Sequence, residues 1–155
     1  MIFQFKTEQF LNCDIKSVWN FVSSPKNLSK ITPPYMLFKI TSDNINQKMY
    51  PGMIISYKVA PMLNIKINWV TEITQVVEEN FFIDEQRIGP YSLWHHQHFF
   101  KQIDNGVLMT DIVTYKPPFG FIGCIANTLF IKKKLKSIFD YRFHIMDKKF
   151  NKLDL

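Results

Sequence analysis

The chain has 155 residues, of which 46% are hydrophobic and 21% charged, and its formal net charge is +6. That length favours one domain, and the composition is that of a globular chain able to bury a core. It excludes a disulfide framework, since Cys13 and Cys124 are the only cysteines and lie far apart. It also excludes a bilayer-spanning helix: the longest apolar run, Phe119 to Ile131, is short and contains Asn127 and Thr128.

The first residues, MIFQFKTEQF, lack a charged segment followed by an apolar one, so no signal peptide is expected and a reduced, cytoplasmic location fits. Phe3 and Phe5 alternate with Gln4 and Lys6, which predicts a strand over Ile2 to Leu11. Asp14 is an N-cap candidate for a helix carrying Ile15, Val18, Trp19 and Val22, stopping near Ser24 before Pro25. Leu28 and Ile31 suggest a second helical turn, ended by Pro33-Pro34. A short strand over Phe38 to Asp43 and a polar loop over Asn44 to Gly52 follow.

From Met53 onward the pattern is β. Strands are expected over Met53 to Ala60, Ile65 to Glu78, Phe81 to Ile88, Leu93 to Ile103 and Val107 to Tyr115. The turns fall at Pro61-Met62-Leu63-Asn64, Glu79-Asn80, Gly89-Pro90-Tyr91-Ser92 and Asp104-Asn105-Gly106. After Pro117-Pro118, a stripe of Phe121, Ile125, Thr128, Ile131, Leu135, Ile138, Arg142 and Ile145 predicts one long amphipathic helix. The lysines of 132–136 and 148–152 read as its solvated face, and no nucleic-acid partner is expected.

One stretch stands out. Asp84 to His98, DEQRIGPYSLWHHQH, places Trp94, His96 and His98 on one face of a strand that should be plainly apolar. Ionisable groups there suggest the wall of a cavity. The plain alternative is two histidines satisfied by hydrogen bonds in a semi-polar core. An i, i+2 histidine pair points both rings the same way, as some metal sites require, with Asp84 or Asp111 as a further ligand. Elsewhere the cysteines and histidines show no ligand spacing, and neither a metal nor another cofactor is expected.

A two-residue turn at Asn105-Gly106 would set Asp104 opposite Val107, Phe100 opposite Asp111, His98 opposite Val113 and His96 opposite Tyr115. Asp111 and Tyr115 would then share the wall of His96 and His98, and an Asp beside a His is half of a general-base pair. A turn one residue longer would send Asp111 and Tyr115 to the other face. Asp84 and Gln86 share a face of the neighbouring strand, either inside or toward solvent. Trp69 is read as core or as a ligand platform. Arg142 interrupts the helical stripe, to pair with an internal carboxylate, bind an anionic ligand or snorkel. The run Phe119-Gly120-Phe121-Ile122-Gly123 is read as a tight start to the last helix or as a lid, with Pro33-Pro34 on the opposite rim.

Several segments together carry a family resemblance: Ile31-Thr32-Pro33-Pro34, Asp84-x-Gln86-x-x-Gly89-Pro90-Tyr91-x-x-Trp94-x-His96-x-His98, Met109-Thr110-Asp111-x-Val113-x-Tyr115, Pro118-x-Gly120 and Phe139-Asp140-Tyr141-Arg142. The chain resembles the START-like (SRPBCC) superfamily, and within it a bacterial branch of cyclase/dehydrase-like ligand-binding proteins. The resemblance implies an α+β helix-grip fold, in which a curved antiparallel sheet of about seven strands, in the order β-α-α-β6-α, wraps a long C-terminal helix. It further implies an apolar cavity between sheet and helix, with a small hydrophobic or amphipathic ligand such as a lipid, quinone or polyketide-like molecule.

The walls would come from Trp69, Trp94, Ile125, Leu129 and Leu135. The polar contacts would come from Asp84, Gln86, His96, His98, Asp111, Tyr115 and Arg142. A second expectation is a cyclase or dehydratase with His96, His98 and Asp111 as the reacting groups. A third is an interaction module whose basic helix meets a protein partner, a second copy or an anionic membrane, without stable insertion.

Overall fold

The computed structural model describes residues 1–61 and 64–151. The expected turn residues Met62 and Leu63, and Lys152 of the second lysine cluster, lie outside the described residues.

Strand β1 (Phe3–Leu11) leads into helix α1 (Ile15–Val22), where Asp14 caps the first turn by accepting the Ser17 N–H at 2.9 Å. Val18, Trp19 and Phe21 face inward. Proline then shapes the path. Pro25 opens one 3₁₀ turn (Pro25–Ser29) and Pro34 another (Pro34–Met36). β2 is only Lys39–Ile40, shorter than the strand expected over 38–43, and a 3₁₀ turn at Asn44–Asn46 sits in the expected loop. β3 (Met53–Val59), β4 (Ile67–Val77), β5 (Phe81–Ile88), β6 (Leu93–Ile103) and β7 (Gly106–Lys116) follow as an antiparallel meander.

The seven strands form one sheet in the order β1-β7-β6-β5-β4-β3-β2. Pairing of β1 with β7, from Phe3 opposite Tyr115 to Leu11 opposite Val107, brings the chain's start against its last strand. One core cluster joins α1 to the sheet, with Trp19 edge-on to Phe82 and Phe100 at 6.2 and 5.7 Å. Each such aromatic pair contributes about 0.5–1.5 kcal/mol beyond area burial.

The hairpin β6–β7 differs from expectation in a useful way. Its two-residue loop is Asp104-Asn105, with Ile103 opposite Gly106. Gly106 belongs to the strand, with φ 155°, and a Cβ there would run into the Leu11 carbonyl and the Phe10 ring. The register therefore moves by two residues, which keeps every side chain on its expected face. His98 now faces Asp111, His96 faces Val113 and Trp94 faces Tyr115.

The C-terminal helix runs as α2 (Gly120–Ala126), a π-helical turn (Asn127–Ile131) and α3 (Lys132–Phe150). Phe119 and Gly120 start it with positive φ, 63° and 53°, and Gly123 packs so closely on the Pro118 carbonyl that a Cβ would collide. Five residues of π geometry unwind the helix by roughly a quarter turn relative to an unbroken α-helix. Gly123 and Asn127 consequently come onto the buried face with Leu135, Phe139 and Met146. The same rotation carries Phe121 and Ile125 outward. They are 79% and 46% exposed. Among the described residues no helix is long and apolar enough to cross a membrane.

Candidate functional site

A cavity of about 340 Å³ lies between the sheet and α3. Aromatic and aliphatic side chains from every layer line it: Tyr57 and Trp69 from β3 and β4, Trp94 from β6, Met36 from the 3₁₀ turn, and Leu135 and Ile138 from α3. Trp69 stands edge-on to Trp94 at 5.2 Å and stacks on Tyr57 at 6.0 Å. Its indole N–H donates to Thr71 Oγ1 at 3.0 Å, so the ring's polar edge already has a partner. Half-buried Thr32, Pro90, Tyr91, Pro118 and Lys134 mark the rim. Lys134 Nζ sits 3.8 Å over the Tyr35 ring.

The cavity has one polar pole, formed by Asp84, His96, His98 and Arg142. Cross-strand pairing assembles it. Asp84 of β5 is opposite His96 of β6, and Asp111 of β7 is opposite His98. Asp111 lies behind the histidines and touches only a small recess of about 10 Å³. Its Oδ1 accepts from His98 Nδ1 at 2.7 Å and from His96 Nε2 at 3.0 Å. Asp84 Oδ2 accepts from His98 Nε2 at 2.9 Å and lies 3.4 Å from His96 Nδ1.

Both histidines turn both ring nitrogens toward carboxylate oxygens, which only accept, and an imidazolium charge on either ring would suit them. Burial disfavours that charge, but Asp111 and Asp84 outweigh it and raise the His98 pKa. For His96 burial wins, helped by the charge on His98, and its pKa falls to about 4 against the pull of Asp111. The opposite directions favour a neutral His96 beside a charged His98. Burial opposes ionisation of Asp111, yet His98, His96 and Arg142 hold its pKa well below the usual carboxylate range. Burial likewise opposes Asp84, whose pKa the imidazoles and Arg142 keep low. Two carboxylates, one imidazolium and one guanidinium balance, which makes their burial tolerable.

Arg142 Nη1 lies 3.6 Å from Asp111 Oδ1, and its guanidinium rests 5.0 Å from the Phe139 ring centre. Arg142 Nε is buried and has no hydrogen-bond partner among the described residues. Phe82 stacks on His98 at 4.0 Å and Phe139 stands edge-on to His96 at 5.6 Å. The polar pole is therefore sealed by rings on both sides.

Besides Asp111, four residues expected in the cavity lie outside its lining. Ile125 and Leu129, 46% and 53% exposed, face away because the π turn rotates their segment outward. Gln86 braces the β5–β6 turn instead, donating to the Tyr91 carbonyl at 2.7 Å and accepting its N–H at 3.2 Å. Gly89 leaves room for that amide, since a Cβ would strike it. Tyr115 is buried behind the wall, and its hydroxyl donates to Asn127 Oδ1 at 2.8 Å, tying β7 to the π turn. Pro33 is buried and Pro34 exposed, and neither forms the rim. Sequence reading missed Tyr57, Thr71, Phe82 and Phe139 as lining groups. Each follows from period-two or helical spacing once the cavity-facing side is known.

No protein-family model and no curated protein sequence matches this chain. Solved structures do. An uncharacterized protein from Rhizobium leguminosarum superposes with a TM-score of 0.70 at 13% identity, over 96% of each chain. The di-domain ARO/CYC protein BexL of the BE-7585A biosynthetic pathway gives 0.73 at 11% identity, over 98% of this chain and 51% of its own. Ara h 8.0201 gives 0.61 at 12% identity, over 94% and 98%. The open antiparallel sheet with its long C-terminal helix is the helix-grip fold these neighbours share.

Proposed function

We propose that this protein binds a small hydrophobic or amphipathic molecule, of lipid, quinone or polyketide-like chemistry, between the sheet and α3. The observation that carries this reading is the cavity itself: about 340 Å³, walled by rings and aliphatic chains, with the buried cluster of Asp84, His96, His98 and Arg142 at one pole. Pockets of this size and composition are typical of small-molecule sites. The molecule's apolar body would lie against Trp69, Trp94, Leu135 and Ile138. Its polar end would face Arg142 at the polar pole. A cytoplasmic location belongs to the same reading. Native mass spectrometry of the protein as purified, followed by denaturing extraction, tests it. A defined apolar mass is expected. An empty protein that binds no apolar fluorescent probe would overturn the reading.

A cyclase or dehydratase is the second reading, and the Asp111–His96 pair favours it. A neutral imidazole oriented by a buried carboxylate is the arrangement of a general base. BexL, one of the proteins with this fold, is an ARO/CYC protein. Under this reading His96→Ala abolishes turnover of a polyketide-like substrate and leaves its affinity nearly intact. Loss of both together would argue for binding alone.

The third reading rests on the surface beside the rim. Phe119, Phe121, Ile122, Leu129 and Phe130 are exposed on the segment that opens the last helix, and Lys132 and Lys133 follow them. Apolar rings next to lysines complement an anionic bilayer surface rather than a second cationic copy of this chain. Sedimentation with vesicles containing phosphatidylglycerol should pull the protein down at low salt, and Lys132→Glu with Lys133→Glu should prevent it. Unchanged sedimentation of that variant, or a stable dimer in solution, would remove the idea.

A further inference from the structure

The unusual feature of the polar pole is how its four ring nitrogens are divided. Those facing away from the cavity, His96 Nε2 and His98 Nδ1, both meet Asp111 Oδ1 at 3.0 and 2.7 Å. The other two, His96 Nδ1 and His98 Nε2, both converge on Asp84 Oδ2 at 3.4 and 2.9 Å. The three converging donor atoms lie within 4.8 Å of one another. Around a tetrahedral ion with bonds of 2.0–2.1 Å, neighbouring donors stand about 3.3 Å apart.

We infer that Asp84, His96 and His98 form a binding site for one divalent transition-metal ion of the zinc, cobalt or iron(II) class, with Asp111 orienting both imidazoles from behind. Ligating histidines characteristically donate their second N–H to a carboxylate, and here one carboxylate serves both. Two imidazoles and a carboxylate suit borderline ions better than calcium or magnesium. Asp84, His96 and His98 all line the cavity while Asp111 does not, so the remaining coordination position opens toward the cavity. Phe82 and Phe139 supply the apolar shell.

Binding exchanges charge in a defined way. Any proton on His96 Nδ1 or His98 Nε2 leaves to solvent as the metal–nitrogen bond forms, with no change of oxidation state. With His98 neutral, a divalent ion and Arg142 exceed the two carboxylates by one positive charge. The open position therefore favours an anionic oxygen, a carboxylate or enolate of a cavity ligand or a hydroxide.

The test uses the full chain, stripped with a chelator and titrated with Zn²⁺ and Co²⁺ without any apolar probe, so that failure of the ligand reading leaves it untouched. One ion per chain is expected. Asp84→Asn and His96→Ala should each weaken Zn²⁺ binding by roughly 100-fold or more, and Asp111→Asn by about 10–100-fold. His95→Ala and His144→Ala, outside the pole, should leave it unchanged. On the wild type, Zn²⁺ should shift the ¹⁵N resonances of His96 Nδ1 and His98 Nε2 and leave the other two ring nitrogens protonated. This measurement is independent of whether a variant folds. Absence of Zn²⁺ binding, binding that is lost with His95 or His144, or ring nitrogens unmoved by the ion would each overturn the inference.

Discussion

Asp111 and His98 face each other across β6 and β7, and the 2.7 Å contact between Asp111 Oδ1 and His98 Nδ1 is the shortest link in a buried, charge-balanced cluster. Asp111 also receives His96 and approaches Arg142, so three groups depend on one oxygen. Asp111→Asn keeps the shape and removes the charge. It leaves His98 and Arg142 with one counter-ion between them, and loss of one partner of a buried pair costs about 3–5 kcal/mol. Urea denaturation of the chelator-treated protein measures this. A loss below about 1 kcal/mol would mean that the cluster contributes little to stability.

The two histidines act in opposite pH windows. Free histidine titrates near 6.5. The His96 pKa is depressed to about 4 in the fold, so below 6.5 the unfolded chain takes up a proton that the native one refuses. Stability should fall by about 3 kcal/mol as pH drops from 6.5 to 4. The His98 pKa is raised, so its contribution is complete below 6.5 and is lost as pH rises through its folded value. Stability of the metal-free protein should therefore peak near pH 6.5. Equal urea midpoints at pH 5 and pH 7 would contradict the assignment of His96 as neutral, and His96→Asn should flatten the acid limb selectively.

Ile138→Trp tests the cavity by filling it. Ile138 is half-buried in the wall, and a larger ring there has empty space to enter. Affinity for an apolar fluorescent probe should drop at least tenfold, about 1.4 kcal/mol. The melting temperature should hold or rise, since filling a void restores lost contacts. Unaltered probe binding would place the probe elsewhere on the protein.

Tyr115→Phe separates support from lining. The change leaves buried Asn127 Oδ1 without the hydroxyl that donates to it. An unpaired buried acceptor costs about 1–3 kcal/mol. Because Tyr115 lies behind the wall, probe affinity should stay within about twofold while the urea midpoint falls. A large loss of probe affinity with unchanged stability would return Tyr115 to the ligand's contacts.

Much of this architecture is legible in the sequence because alternation is a local property. Trp94, His96 and His98 advertise one face of β6 by spacing alone, and parity of the β6–β7 hairpin survives a turn displaced by one position. What is illegible depends on events with no local signature. The stripe through Phe121, Ile125 and Thr128 fits an unbroken α-helix, and only the π turn, anchored from β7 through Asn127, puts it outside. Gln86 shares the face of Asp84 by parity, yet the nearby Tyr91 backbone captures its amide before any ligand can. For the third donor beside His96 and His98 the sequence offers Asp84 or Asp111 without choosing, since the β5–β6 register that brings Asp84 opposite His96 is not encoded by spacing.

The change of pitch at Asn127–Ile131 also divides the last helix into two zones of inheritance. Downstream, a substitution at Leu135 or Phe139 alters what the interior can hold. Upstream, a substitution at Phe121, Ile122 or Ile125 alters only what the exterior meets. Under the proposed reading, what the cavity holds and what the surface meets can then drift separately within one continuous helix, and a one-residue deletion inside the π turn would couple them again by swinging the upstream rings back toward the sheet.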